Sequence, residues 1–521
     1  MTGTVTMSRS GRWAGRRLGR PGKGIGFAHV LRAEWTKFRT VRGWVFAMVV
    51  AALLPVLVAV LAGVSSDQLG SPPVPVGPGG EPVTDSFYFV HRPLAGDGGI
   101  TVSVSALRSS IPRSPGHLRS GTVPWAKAGL VIKASTRPGS PYAAIMVTGS
   151  HGVRMQNDYV NDTAGHPGSD AHSDSAAAVH WLRLDRSGDA ITGYASADGT
   201  RWTKVGTVHM RELGRTAQGG LFVASPPAVD GLGTRGSVST AVFGDLRVRG
   251  GWAGGSWAGD QVGPESPTFA GYPRTTSGSF SGSGGRFTVT GAGDMAPAVR
   301  ETLPTGGTLG DILTGTFAAL VTVVVVGTLF ITTEYRENLI QVTLAACPGR
   351  SRVLVTKAAV LGGVTFVAGL AGAVLAVPLG VRLARAHGGY VFPVTSSTEL
   401  RVELGIAALL AAASVLALSV GTVLRRSAGA VTTAVVAVVV PYLLIANPFM
   451  PARVSNWLAR VTPAAGFAVQ QTLVPYHQVT SIYTPYDGYY PLTPWAGFAV
   501  LACYALVSLA VAAVLLRRRD A

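Results

Sequence analysis

Apolar positions along the 521-residue chain fall into three patterns: unbroken runs, a two-residue alternation, and one short helical stripe. The unbroken runs are Trp44–Val64, Ile312–Thr332, Ala358–Val381, Leu404–Leu424, Ala428–Ala446 and Trp495–Leu516. Each supplies the ~20 residues a helix needs to cross a ~30 Å hydrocarbon layer. The alternation fills residues 84–249, in short runs from Ser86–Val90 through Tyr142–Thr148 and Ala190–Ala195 to Ser237–Val248. Hairpin turns are expected at Ser187-Gly188-Asp189 and Asp198-Gly199. The stripe is Phe27, Val30, Leu31, Trp35, Phe38 and Val41, at helical steps just before the first run. It predicts an interfacial helix with Arg32, Glu34, Lys37 and Arg39 on the remaining arc.

These patterns predict an all-α polytopic membrane domain of six transmembrane helices with an inserted all-β sandwich or jelly-roll domain outside the cytoplasm. The expected divisions are a basic leader (1–24), an elbow helix with the first span (25–64), a linker (65–83) and the sandwich (84–249). A Gly/Ser/Pro-rich return segment (250–308) and spans two to six (309–521) complete the chain.

Composition sharpens the class. Charged residues make up only 13% of the chain, about half the usual share for a soluble protein. The net charge of +18 invites a nucleic-acid reading until its location is counted. With both termini in the cytoplasm, that side holds 19 Lys/Arg against four acids, or +15 of the total. The two short loops opposite carry Arg382, Arg385, Arg401, Arg453 and Arg460. This asymmetry follows the positive-inside rule, so basicity reports topology and contact with anionic lipid rather than nucleic acid. A plasma-membrane, multi-pass location with residues 65–308 outside the cytoplasm is expected. Neither cysteine, Cys347 or Cys503, lies in that outer segment, so its own core must hold it rather than disulfides.

Signatures of chemistry are sparse. There is no His-Glu-x-x-His, no Gly-x-Ser-x-Gly and no phosphate-cradling Gly-x-x-x-x-Gly-Lys-Ser/Thr loop. No catalytic residue, cofactor or metal is therefore expected, and if the chain takes part in ATP-driven transport a separate subunit must supply the energy. The loop from Asp158 through Asp162, His166, Asp170 and His172 to Asp174 gathers oxygen donors, but its spacing matches no calcium loop. Trp125, Tyr142, Tyr159 and Trp202 are candidates for a ligand-stacking face. The near-absence of ionisable residues inside the spans disfavours an ion-coupled carrier. After the second run, Glu334-Tyr335-Arg336-Glu337 leads into the apolar Leu339–Leu344, closed by Pro348-Gly349, Arg350 and Arg352. This predicts a short helix along the membrane face that offers its charged end to a partner.

The stretch Leu31-Arg32-Ala33-Glu34-Trp35-Thr36-Lys37-Phe38-Arg39-Thr40 resembles the elbow of bacterial ABC export permeases. Thr332-Thr333-Glu334-Tyr335-Arg336 through Pro348, Arg350, Val353, Leu354 and Lys357 is similar to their coupling-helix segment. The resemblance covers residues 27–64 and 309–519. It implies a permease homodimer or heterodimer with cytoplasmic ATP-binding cassette subunits docked at Glu34, Trp35, Lys37, Glu334, Tyr335, Arg336 and Glu337. Pro124-Trp125-Ala126-Lys127-Ala128-Gly129-Leu130, His151–Gln156, Trp181–Leu184 and Ser196–Thr203 resemble the concanavalin-like sandwich family. That likeness implies a carbohydrate-binding or adhesive module and surface carbohydrate as a partner, while the lack of a paired catalytic acid disfavours hydrolysis. The rival expectations are a membrane-anchored glycan-binding or glycan-processing protein and a non-transporting regulatory membrane subunit.

Overall fold

A computed structural model describes residues 26–65, 73–114, 117–165, 180–230, 233–252, 256–264, 278–283, 285–303, 306–346 and 349–518. The helices are α1 (Phe27–Thr40), α2 (Arg42–Ser65), α3 (Leu309–Ile312), α4 (Thr316–Arg336), α5 (Leu339–Ala346) and α6 (Arg350–Ala386). They continue with α7 (Ser396–Leu424), α8 (Ser427–Ile445), α9 (Ala452–Val461) and α10 (Pro494–Arg518). Among the described residues, six helical stretches are long and apolar enough to cross a membrane: α2, Leu309–Arg336, α6, α7, α8 and α10. Along α2, Phe46, Val49, Leu53, Leu57 and Leu61 are exposed on successive turns. A stripe of that size is what a hydrocarbon solvent accepts and water does not.

The spans pack through small residues. A Cβ on Gly372 of α6 would sit 2.7 Å from the Ala52 carbonyl of α2, and one on Gly327 of α4 would sit 2.7 Å from the Ser414 carbonyl of α7. Only glycine lets these backbones approach so closely. Successive spans alternate in direction. At one end of the bundle Arg425, just past α7, lies 5.2 Å from the Tyr335 ring, and Arg350 donates to the Leu516 carbonyl. The β domain joins the opposite end.

That domain turns on one long strand, Phe87–Ser114. Its first part pairs with Ala258–Val262 and Thr216–Ala224, and Lys127–Lys133, Tyr142–Thr148, Val153–Asn157 and Asn161–Ala164 follow outward. Its later part pairs with His180–Ser187 and Val238–Trp252 in a second layer. Ala190–Ser196 and Thr203–His209 extend that layer on one side, Arg286–Ala292 and Ser279–Ser283 on the other. Leu94, Ile100, Leu130, Ile132, Leu182, Leu184, Leu221 and Phe243 form the buried core between the layers. Alternate residues of the first layer, Phe87, Phe89, Val131, Tyr142 and Phe222, form a second core on its other face.

The region expected to be a return linker is in part structural. Ala258–Val262, Ser279–Ser283 and Arg286–Ala292 complete the two layers, and Met295–Pro297 pairs with Val83–Asp85 to cover the second core. These two covering strands are the chain's way into the domain from α2 and its way out toward α3. Each is fixed by a lysine from the strand Lys127–Lys133, whose odd-numbered side chains face that core. Lys127 Nζ lies 2.5 Å from Asp294, and Lys133 Nζ lies 2.7 Å from Asp85.

Candidate functional site

At the bundle end away from the β domain, the elbow and the segment after α4 meet around one buried lysine. Helix α1 carries Val30, Glu34 and Phe38 on its buried face, at i, i+4 and i+8. Glu34 therefore belongs to the apolar stripe and not to the polar arc on which it was expected. Phe38 packs edge-on against Phe330 of α4. The Glu34 carboxylate meets Lys357 Nζ at 2.7 Å, and Lys357 also reaches Glu334 at 2.6 Å. The Lys357 side chain is fully buried and its ammonium lies 5.0 Å from the Phe330 ring centre. Lys37 stands at the rim, 3.4 Å from both carboxylates, and donates to Thr343 of α5 at 3.1 Å. Two cations and two anions thus balance in one cluster that joins α1, α4, α5 and α6.

Local backbone chemistry sets this up. Helix α4 stops because Asn338 takes a left-handed conformation (φ 56°), which asparagine tolerates better than most residues. The chain then turns into α5, which Lys37 of α1 reaches at Thr343. Taking the charges of Glu34, Glu334 and Lys357 out of water costs several kcal/mol per ion, recovered only when the partners stay in close hydrogen-bonded geometry. The cluster therefore ties α1, α4, α5 and α6 to one another at this end of the bundle.

The seven docking candidates divide accordingly. Glu34 and Glu334 are buried and turn their carboxylates onto Lys357, so in this conformation they do not face a partner. Lys37 is half-exposed at the rim, and Tyr335 lies against Arg425. Trp35, Arg336 and Glu337 are exposed, and beside them so are Leu339 and Val342 of α5. Lys357, the residue that organises the site, was read only as part of the coupling-segment pattern. Its signal was a cation inside the otherwise apolar run Val353–Leu361.

The four aromatic candidates of the β domain do not form one face. Tyr142 and Tyr159 are fully buried, with ring centres 4.8 Å apart. Tyr159 sits at φ 66° in a tight turn, which drives its ring inward, and its hydroxyl donates to Asp85 at 2.7 Å and accepts from Lys133 at 2.8 Å. Burial, reinforced by Asp85, pushes both phenols far above their ordinary range. Burial also pulls the Lys133 ammonium below the usual lysine value, against the opposing attraction of Asp85. These two tyrosines are core, which corrects their assignment to a ligand face. Trp125 is nearly buried and stacks on His151 at 4.1 Å, with His477 from the α9–α10 connection edge-on at 6.3 Å. It lies in the seam with the helical part, where His477 also reaches Asp162 at 3.1 Å and Gln478 donates to the Val160 carbonyl. Trp202 alone remains accessible. It lies 4.8 Å from the Arg183 guanidinium, whose other aromatic neighbour is Tyr194 at 4.2 Å.

Of the oxygen-rich loop, Asp158 and Asp162 are described; His166, Asp170, His172 and Asp174 lie outside the described residues. Asp162 is occupied by Arg154, Gln156 and His477. Among the described residues no group of three metal-ligating side chains converges.

No family model matches this sequence, and no curated protein matches it. Among solved structures, a functionally unknown protein from Saccharomyces cerevisiae is 14% identical over 33% of this chain and 77% of that one, at a TM-score of 0.22. A variant of the GH43 protein BlXynB from Bacillus licheniformis is 15% identical over 24% of each chain, at a TM-score of 0.16. The alginate lyase from Klebsiella pneumoniae is 14% identical over 30% of this chain and 60% of that one, at a TM-score of 0.18. Similarity at this level carries no inference about what this chain does. The class rests on the chain itself: six helices fit to cross a membrane and one β-sandwich domain.

Proposed function

We propose that this protein is the permease subunit of an ATP-driven ABC transporter, exporting its substrate, with the sandwich outside the cytoplasm as a lectin-like binding domain. One observation carries the reading. The elbow α1 and the segment after α4 are locked to the same buried lysine, and each also presents exposed residues, Trp35 on the elbow and Arg336, Glu337, Leu339 and Val342 after α4. A partner that pushes on these residues moves α1, α4 and α6 together, and with them the spans. Work must enter from a partner because the chain holds no phosphate-binding loop. The charge asymmetry supports placing this end in the cytoplasm.

In this account the permease works as a dimer, and each copy receives one ATPase. The Tyr194–Arg183–Trp202 stack is the place on the sandwich where a sugar ring would lie, as aromatic and guanidinium planes favour. The test is affinity capture of the full-length protein from native membranes with ATPase activity assayed on the eluate. Wild type is expected to retain an ATP-hydrolysing partner, and an Arg336→Glu/Glu337→Lys variant of unchanged folding is expected to lose it. A wild-type eluate without ATPase would contradict the reading.

A further inference from the structure

At the bundle end that carries the β domain, the last turns of α6 and the chain leading into α7 enclose a cavity of about 330 Å³. Its floor is apolar, built from Val377, Val381 and Phe392, and its rim carries Arg382, Arg385 and Glu399. Arg382 and Arg385 are one helical turn apart and exposed, and neither guanidinium has a hydrogen bond or ion pair with another described residue. Glu399, half-buried in the first turn of α7, likewise has no ion pair. Opposite charges share this rim without bonding one another.

Two arginines on one side and a carboxylate on the other, above an apolar floor, complement a molecule with the same three features. Paired guanidiniums match a phosphate through charge-assisted, bidentate hydrogen bonds. A carboxylate across the rim matches an ammonium, and the floor matches methylenes. The volume is at the small end of ligand pockets, enough for a head and the start of its chains. Helix α6 ends at Ala386 and α7 begins at Ser396, so the rim lies at the level of helix ends. That is the headgroup level when these helices cross a bilayer. We propose that this cavity binds the head of an amine-bearing bilayer phospholipid, with phosphate on Arg382 and Arg385 and ammonium on Glu399. The proposal rests on the membrane reading of the helices and not on any ATPase partner.

The test uses the full-length protein, delipidated in detergent and re-equilibrated with mixed micelles of phosphatidylethanolamine or phosphatidylglycerol, with bound lipid read by native mass spectrometry. Wild type is expected to retain phosphatidylethanolamine about 10-fold better than phosphatidylglycerol, the equivalent of one good charged contact. Arg382→Gln/Arg385→Gln should lose both lipids. Glu399→Gln should lose only the preference, and it decides the matter alone if the arginine variant fails to fold. Three results would each overturn the proposal: equal retention of both lipids by wild type, retention unchanged in the folded arginine variant, or displacement by equimolar soluble phosphoethanolamine.

Discussion

Among the described residues, lysines are buried in two places and used differently. In the sandwich, Lys127 and Lys133 each serve one carboxylate, Asp294 and Asp85, and each fills its remaining donor positions with fixed oxygens. For Lys127 that oxygen is the Met295 carbonyl; for Lys133 they are the Ser140 carbonyl and the Tyr159 hydroxyl. At the far end of the helices, Lys357 is shared between Glu34 and Glu334, which belong to different helices, and only the half-exposed Lys37 balances the second charge. The first arrangement clamps the two covering strands to a rigid sheet. The second joins separate helices through a cation that holds both. The same chemistry thus makes a staple in one region and a linkage in the other.

The largest effect should come from Lys357→Met, which strands two buried carboxylates. It should destabilise the helical part by about 5 kcal/mol, the upper end for breaking a buried ion pair. Denaturant unfolding in detergent measures this, while the sandwich should keep its protease resistance. A loss below ~1 kcal/mol would mean the cluster is solvated and no joint at all.

Lys127→Met should cost about 3 kcal/mol, located in the sandwich. Compensation sharpens the contrast. Lys127→Met/Asp294→Leu should recover most of that loss, because a one-to-one pair can be replaced by apolar groups. Lys357→Met/Glu34→Leu should stay impaired, because Glu334 remains unpaired. Equal recovery of the two double variants would erase the distinction. Lys37→Ala, at the open rim, should cost less than about 1 kcal/mol.

The smallest effect concerns pH at the seam between the two regions. Burial raises the carboxyls of Glu301 and Asp487 above the ordinary range, aided at Glu301 by the charge of Asp487 and at Asp487 by that of Asp311. A raised folded value means the folded form holds these protons more tightly than the unfolded chain does. Their contribution is complete below the ordinary carboxylate range and is lost as pH rises through the raised values. After correction for the intrinsic pH dependence of exchange, the protection of amides around residues 295–303 and 476–490 should therefore rise modestly between pH 7.5 and pH 5. Lower protection at the lower pH would show that the Arg300–Asp311 ion pair governs the seam instead.

Much of this could be read along the chain. The apolar runs located the long helices, although α6 extends well beyond its run because Arg350–Lys357 continues the helix with Arg350, Ser351, Arg352 and Lys357 around the apolar Val353–Val355. The strand Tyr142–Thr148 coincides with its alternation. Ser279–Ser283 was hidden because glycine and serine leave no apolar signature, even where Phe280 anchors the strand against Tyr88. The buried ion pairs were out of reach for another reason. Nothing local to Lys127 or Lys133 marks a partner, and their carboxylates lie 167 and 48 residues away. Glu34 was misplaced because a carboxylate in an apolar stripe looks like an error until its cation is found more than 300 residues later.

The most direct measurement is site-specific photo-crosslinking in native membranes, with a photoreactive residue placed at Trp35, Arg336 or Val342 and, as controls, at Phe449 or Trp457 in the opposite connection. The account predicts an adduct with a nucleotide-binding protein at the first three positions and none at the controls. Absence of a nucleotide-binding adduct at all three, in protein that folds and inserts normally, would contradict it.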